Sequence, residues 1–313
     1  MNCLYPLAKR FIAGHDFDSA KPVISNLMQD GYKITIDYLG ELSKTTEDCH
    51  KAQLQYHQIL DYYSQIPDGR EIDISIKPTQ LGLLLDKEDC FNRLNEIVLS
   101  AYNYGMTVRL DMEDSNVTQD TIDLCVRVKK TYPNIGIALQ SNLYRTTKDI
   151  DYLLNEKVSI RLVKGAYKED ITKAYQKQKL VYPVFLQQAL KLISDRCRSY
   201  YYFRDDRVPR DQTAVPAIGT HDEDLILDII DYLPTIKVDK SDLFFELLYG
   251  VRRDICFSLK NDGYCVRLYV PFGTEWLPYT MRRLREYKNL KFIISNIIKE
   301  MWNDQFSRGK SSR

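Results

Sequence analysis

Charged and polar residues recur in this sequence at the ends of short β-branched runs, and their types suit the handling of an anion and a proton. Asp37 closes YKITID (32–37), Lys77 closes EIDISIK (71–77), and TVRLDM (107–112) ends in Asp111 and Met112 with Glu113 next. Gln140 closes IGIALQ (135–140), while SIRLVK (159–164) delivers Arg161 and Lys164. VPAIGT (215–220) ends in Thr220 with His221 following, and Tyr269 lies near the end of CVRLYV (265–270). An apolar run that ends in a charge is costly unless the charge meets a partner or a ligand. A single such residue is ordinarily a satisfied loop residue. Several of mixed sign point to a shared polar site, in which Lys77 and Arg161 suit an anion and Asp111 suits Lys77 or another cation.

A second constellation is Tyr279, Arg282, Arg283 and Glu286 in LPYTMRRLREYKN. Tyr279, Arg283 and Glu286 fall at helical offsets of 0, 4 and 7, one stripe along a helix. Two guanidinium groups can clamp a carboxylate with planar, bidentate hydrogen bonds. Taken alone, the arginine pattern reads as readily as a solvated basic face. The four histidines, His15, His50, His57 and His221, show no HxH or HExxH spacing, so metal catalysis is not expected. GTHD has no GxSxG nearby, and no serine-hydrolase signature is present.

These residues need elements to position them. With DLFFELL (242–248) the β-branched runs number eight, separated by amphipathic segments such as CFNRLNEIVLSAYNYG and TIDLCVRVKKTY. Strands alternating with helices imply parallel pairing through right-handed crossovers. Eight units in about 300 residues fit an α/β fold closed as a (β/α)8 barrel, in which chemistry gathers at the C-terminal strand ends. No GxGxxG opens the first unit, which counts against a dinucleotide-binding sheet. The expected organisation is one domain over 1–313, with the barrel at about 30–290. Leu4 to Met28 should form one or two helices packed outside it, and Ser307 to Arg313 a polar tail.

Composition bounds the partners. Of 313 residues, 44% are hydrophobic and 28% charged, ordinary globular values, and a net charge of +1 argues against a nucleic-acid binder. Seven scattered cysteines without a CxxC pair predict a reducing compartment and no disulfide framework. The N-terminus has no apolar run of signal-peptide length, and no window approaches a membrane span. A soluble cytoplasmic protein is expected, with room for peripheral contact at the inner face of a membrane.

The stretch RLVKGAYKE (161–169) resembles the signature of the proline dehydrogenases, including the corresponding domain of bifunctional proline-catabolic enzymes. Further matches follow in order: AKRFIAG near the start, ITIDYLGE (34–41), SIKPTQLG (75–82), RLDME (109–113), IALQ (137–140) and GTHD (219–222). ELLYGV (246–251), RLYVPFG (267–273) and YTMRRLRE (279–286) complete the set, over roughly residues 8 to 290. The resemblance implies a (β/α)8 barrel that holds FAD noncovalently and oxidises L-proline to Δ1-pyrroline-5-carboxylate, the first step of proline catabolism to glutamate. It implies Arg161 near the flavin N5, where the hydride from the ring carbon arrives. Lys164, Gly165, Ala166, Gln140, Met112, Thr220 and His221 would line the cofactor. Arg282 and Arg283 would pair with the substrate carboxylate, supported by Lys77, while Asp111, Tyr167, Tyr269 and Glu286 complete the pocket and Leu162 packs on the substrate ring. It further implies a quinone as electron acceptor and a separate pyrroline-5-carboxylate dehydrogenase for the next step.

A fixed cation suits charge developing on a reduced flavin. A closed, positively charged pocket favours loss of the proton from proline's ring nitrogen. GTHD replaces the commoner ATHN of the family, which places Asp222 where asparagine is usual. Two other readings stay open: a flavoenzyme for 4-hydroxyproline or an N-methylated proline, which the bulk of Tyr269 disfavours, and a degenerate barrel without catalysis.

Overall fold

The structure is a computed structural model that describes residues 5–202 and 215–286. Leu4, residues 287–290 and the tail from Ser307 to Arg313 lie outside the described residues. The eight predicted runs are strands: β1 Lys33–Tyr38, β2 Asp73–Ile76, β3 Thr107–Leu110, β4 Ile135–Gln140, β5 Ser159–Val163, β6 Ala217–Gly219, β7 Phe244–Leu248 and β8 Cys265–Phe272. Each pairs in parallel with its sequence neighbour, and β1 pairs with β8 to close the barrel.

The N-terminal segment gives two helices, α1 Tyr5–Ala8 and α2 Phe17–Gln29. α2 buries Phe17, Ala20 and Ile24, with Phe17 against Phe272 at the end of β8. The connections carry α3 Thr46–Ser64, α4 Lys87–Tyr104, α5 Thr118–Lys129, α6 Thr146–Asn155, α7 Gln178–Tyr202, α8 Glu223–Tyr232 and α9 Arg253–Asn261, with α10 Trp276–Glu286 after β8. The caps were written in sequence. Thr45 and Asp48 form a capping box at α3, and Asp86 accepts from Glu88 and Asp89 at the start of α4. Gly105 ends α4 at φ +73, a conformation that glycine adopts without steric penalty.

Strand residues alternate between two environments. Ile34, Ile36, Ile74, Ile76, Val108, Leu110, Ile160 and Leu162 belong to the buried apolar layer between strands and helices. The interleaved residues point into the barrel, and here the interior is polar, whereas such barrels ordinarily fill it with branched apolar side chains. At the N-terminal end Asp73 holds Arg109 (3.2 Å), Arg267 (3.3 Å), Thr107 and Thr35. One layer up, Arg161 meets Glu246 and Ser75. Small inward residues make room: a Cβ on Gly136 would sit 3.1 Å from the Arg109 guanidinium.

Candidate active site

At the C-terminal end of the barrel the polar column opens to a mouth. Lys77, after β2, donates to Asp37 at 2.6 Å and lies 3.3 Å from Asp111. Arg161 bonds Asp111 through one terminal nitrogen and Glu246 through the other, the latter at 2.6 Å. The Tyr269 hydroxyl donates to the second oxygen of Asp111 at 2.6 Å, and its ring lies 5.1 Å from the Arg161 guanidinium. Asp111 is therefore the hub, with Lys77, Arg161, Ser75 and Tyr269 all on one carboxylate.

The charges follow from that geometry. Burial pushes the Asp111 carboxyl up, but Lys77 and Arg161 overrule it and hold it below the usual range. Burial alone would lower the Lys77 ammonium, yet Asp37 and its neighbours hold it well above its ordinary value. Asp37 has less help, so burial prevails over Lys77 and raises its carboxyl. Burial, with Asp111 beside it, keeps the Tyr269 phenol protonated.

A second set lies nearer the rim. Arg282 on α10 donates to Glu41 at 3.1 Å, and the Tyr167 hydroxyl donates to the other Glu41 oxygen at 3.4 Å. Arg283 is buried with its guanidinium 5.2 Å from the Tyr279 ring, the predicted spacing of four along the helix. Its charge reaches His221, whose imidazole burial, Arg283, Arg252 and Lys164 together depress to about 3. The neutral ring accepts from the Leu248 amide at 2.9 Å. The side chain of Glu286 lies outside the described residues.

The third set follows β4, β5 and β6. The Gln140 amide nitrogen donates to the Glu113 carbonyl at 2.8 Å, and its oxygen accepts from the Ala166 amide at 3.3 Å. Gly165 has φ +106, and a Cβ there would meet Asn142 Oδ1 at 2.0 Å, so only glycine lets this loop lie so close. Lys164 donates to Asp222 at 2.5 Å, Asp222 caps α8, and Thr220 accepts from the Asp222 amide. The acid in GTHD thus finds a cation.

Two expectations need correction. Leu162 is fully buried in the apolar layer on the strand face opposite Arg161, because adjacent strand residues point oppositely, and so it faces away from the barrel interior where a substrate ring would lie. Met112, beyond the end of β3, is buried to 6% exposure and packs on the main apolar core. The mouth is also no bare cationic cup. Lys77, Arg161, Arg282 and Lys164 each arrive with a carboxylate, because an unpaired buried cation costs more than a paired one. Sequence reasoning assigned no role to Glu41, Asp37, Ser75 or Glu246, although three of them stand inside the quoted motifs ITIDYLGE and ELLYGV and the fourth opens SIKPTQLG.

The chain matches the model of a family described as proline dehydrogenase over residues 20–293. The chain belongs to the proline dehydrogenase family. It is 33% identical to proline dehydrogenase 2 of Bacillus subtilis (strain 168) over 297 residues, which covers 94% of this chain and 91% of the relative. The proline dehydrogenase of Deinococcus radiodurans is 29% identical over 302 residues, covering 95% and 91%. A solved structure of proline utilization A from Bdellovibrio bacteriovorus, inactivated by N-propargylglycine, superposes with a TM-score of 0.80 at 22% identity. It covers 92% of this chain and 33% of that larger chain, and so shares the fold. As a proline dehydrogenase family member the chain is an oxidoreductase. Among the described residues no helix is long and apolar enough to cross a membrane.

Proposed function

We propose that this chain oxidises L-proline to Δ1-pyrroline-5-carboxylate with noncovalently held FAD and passes the electrons to a quinone. The observation that carries this reading is the Lys77–Asp111–Arg161–Tyr269 cluster, a fixed cation pair on one carboxylate at the mouth of the barrel. A separate pyrroline-5-carboxylate dehydrogenase would consume the product.

The residues fit the cofactor. Ser141 Oγ and Asn142 Oδ1 at the end of β4 are buried without a hydrogen-bond partner, leaving unused capacity beside the Gly165 loop. Lys164, the Ala166 amide, Gln140, Thr220 and His221 would hold FAD, a donor-rich set suited to phosphates and to a ring with polar edges. When bound, FAD would supply the hydride acceptor for the substrate ring carbon. Arg161 supplies a cation already fixed by Glu246 and Asp111, so its charge needs no reorganisation as negative charge develops. Arg282 and Arg283 would take the proline carboxylate, Arg282 exchanging Glu41 for the substrate, with Glu286 and Tyr167 on the same side. Lys77 would bear on the same anion and favour the neutral ring nitrogen. Tyr269, tied to Asp111, keeps its bulk against the ring and favours proline over 4-hydroxyproline or an N-methylated proline.

The test is a visible spectrum. The purified protein should be yellow and bleach anaerobically with L-proline, and the bleached protein should reoxidise with a soluble quinone. A protein that stays colourless after reconstitution with FAD, or that prefers 4-hydroxyproline by kcat/KM, overturns the reading.

A further inference from the structure

Glu113 is an unusual residue for its place. It is buried to 4% exposure beyond β3, and burial pushes its carboxyl above the ordinary value. A buried carboxylate ordinarily has a salt-bridge partner. The contacts of this one are instead the amide of Thr79, at 3.0 Å, and the hydroxyl of Thr79.

Thr79 is the second residue of the 3-10 turn Pro78–Leu81, and Lys77 stands immediately before that turn. Because its hydroxyl hydrogen goes to Glu113, the oxygen's lone pairs face the other way, and there it accepts from the Leu42 amide at 2.9 Å. The Thr79 carbonyl accepts from the Ser43 amide at 3.2 Å, and the Ser43 hydroxyl donates to the Gln80 carbonyl at 2.7 Å. Leu42 has φ +58, a left-handed conformation that strains a leucine and persists only when neighbours impose it. The residue before it is Glu41, which holds Arg282 and Tyr167 across the rim. On its backbone side Glu113 accepts from Gln140, which in turn holds Ala166.

We propose that Glu113, acting through the Thr79 hydroxyl, is the positioning residue that places Lys77 and the Glu41–Arg282 pair for substrate capture. Its role is to hold Thr79, and it needs no contact with proline or cofactor. Its two hydrogen bonds orient one hydroxyl, that hydroxyl pins the strained Leu42 segment, and the segment presents Glu41 to Arg282. The inference rests on the proposed oxidation of L-proline, which assigns those cations to the substrate carboxylate.

The test uses FAD-reconstituted full-length protein with Thr79→Val, Thr79→Ser and Glu113→Gln. Thr79→Val should raise KM for L-proline about tenfold while kcat changes less than about threefold, the pattern of lost binding that is uniform along the reaction. The inhibition constant of cyclopentanecarboxylate, the ring anion without the nitrogen, should rise in parallel. Thr79→Ser should restore both. Glu113→Gln should move KM the same way, and adding it to Thr79→Val should have little further effect, since the two act in series. It also covers the case in which valine unfolds the turn. In Thr79→Val the amides of Leu42 and Ser43 should exchange hydrogen faster. A wild-type KM in Thr79→Val, unaltered protection of Leu42, or additive effects of the two substitutions would each overturn the inference. Failure of the wild-type protein to reduce its flavin with L-proline would instead overturn the proposed function, and leave the exchange experiment standing as a separate measurement.

Discussion

The two ends of the barrel interior use the same chemistry for opposite ends. In the N-terminal layer Asp73 has no exposure, and it is surrounded by Arg109, Arg267 and Thr35, all buried, and by the half-buried Thr107. At the mouth, Asp111 keeps 14% of its side chain open and shares Lys77, Arg161 and Tyr269, while Arg282 and Glu41 are partly exposed at 38% and 29%. With Asp73, Arg109 and Arg267 all buried, the ion pairs of this layer are suited to hold the barrel. The mouth pair of Arg282 and Glu41 is open enough that, on the proposed function, the substrate carboxylate would replace Glu41. Accessibility, more than residue type, separates scaffold from site.

That contrast can be broken. Asp73→Asn removes the carboxylate that pairs with both Arg109 and Arg267, and should destabilise the fold by about 3–5 kcal/mol in denaturant titration. In the fraction that folds, KM for L-proline should stay within about twofold of wild type; a selective loss of activity would show that the lower layer is more than scaffold. Arg161→Met removes the mouth's fixed cation, and the anaerobic rate of flavin reduction by L-proline should fall about 100- to 1,000-fold. An unchanged rate would remove Arg161 from the chemistry.

His221 sharpens the comparison through pH. Its folded value is depressed to about 3, so below about 6.5 the unfolded chain takes a proton that the folded chain refuses. Stability is therefore lost as pH falls from 6.5 toward 3, by up to ~3 kcal/mol at pH 4 from this group. His221→Gln, which keeps an acceptor for the Leu248 amide, should flatten that part of the stability profile. An equally steep profile in the variant would assign the loss elsewhere. The smallest effect is expected at the rim. Arg282→Ala breaks a half-exposed pair, so unfolding should shift by less than about 1 kcal/mol while KM for L-proline rises about tenfold. Arg282→Ala with unchanged KM would place the carboxylate elsewhere.

The barrel was legible because each strand carries its own signal, a β-branched run flanked by turn and helical segments, and parallel βαβ units leave few topologies open. The polar strand ends and the Tyr279–Arg283 stripe were legible for the same local reason. What failed was direction and pairing. Leu162 sits in the family signature beside Arg161, yet a period of two sends neighbours to opposite faces. Glu246 and Arg161 lie 85 residues apart, and Arg267 and Asp73 lie 194 apart, separations at which no local pattern announces a partner. Glu113 read as one more strand-end charge until Thr79 was seen against it.

By itself, then, the sequence determined the eight strands, the helices between them, the polar residues that reach the C-terminal rim, and the family. Only the tertiary structure decided which charge answers which, that Lys77, Arg161, Lys164 and Arg282 each meet a carboxylate, and that a buried threonine joins Glu113 to the strained loop of Glu41. The reason is physical. Helix and strand signals arise from residues a few positions apart, whereas the energy of a buried charge depends on whatever closure of the barrel brings within hydrogen-bonding distance.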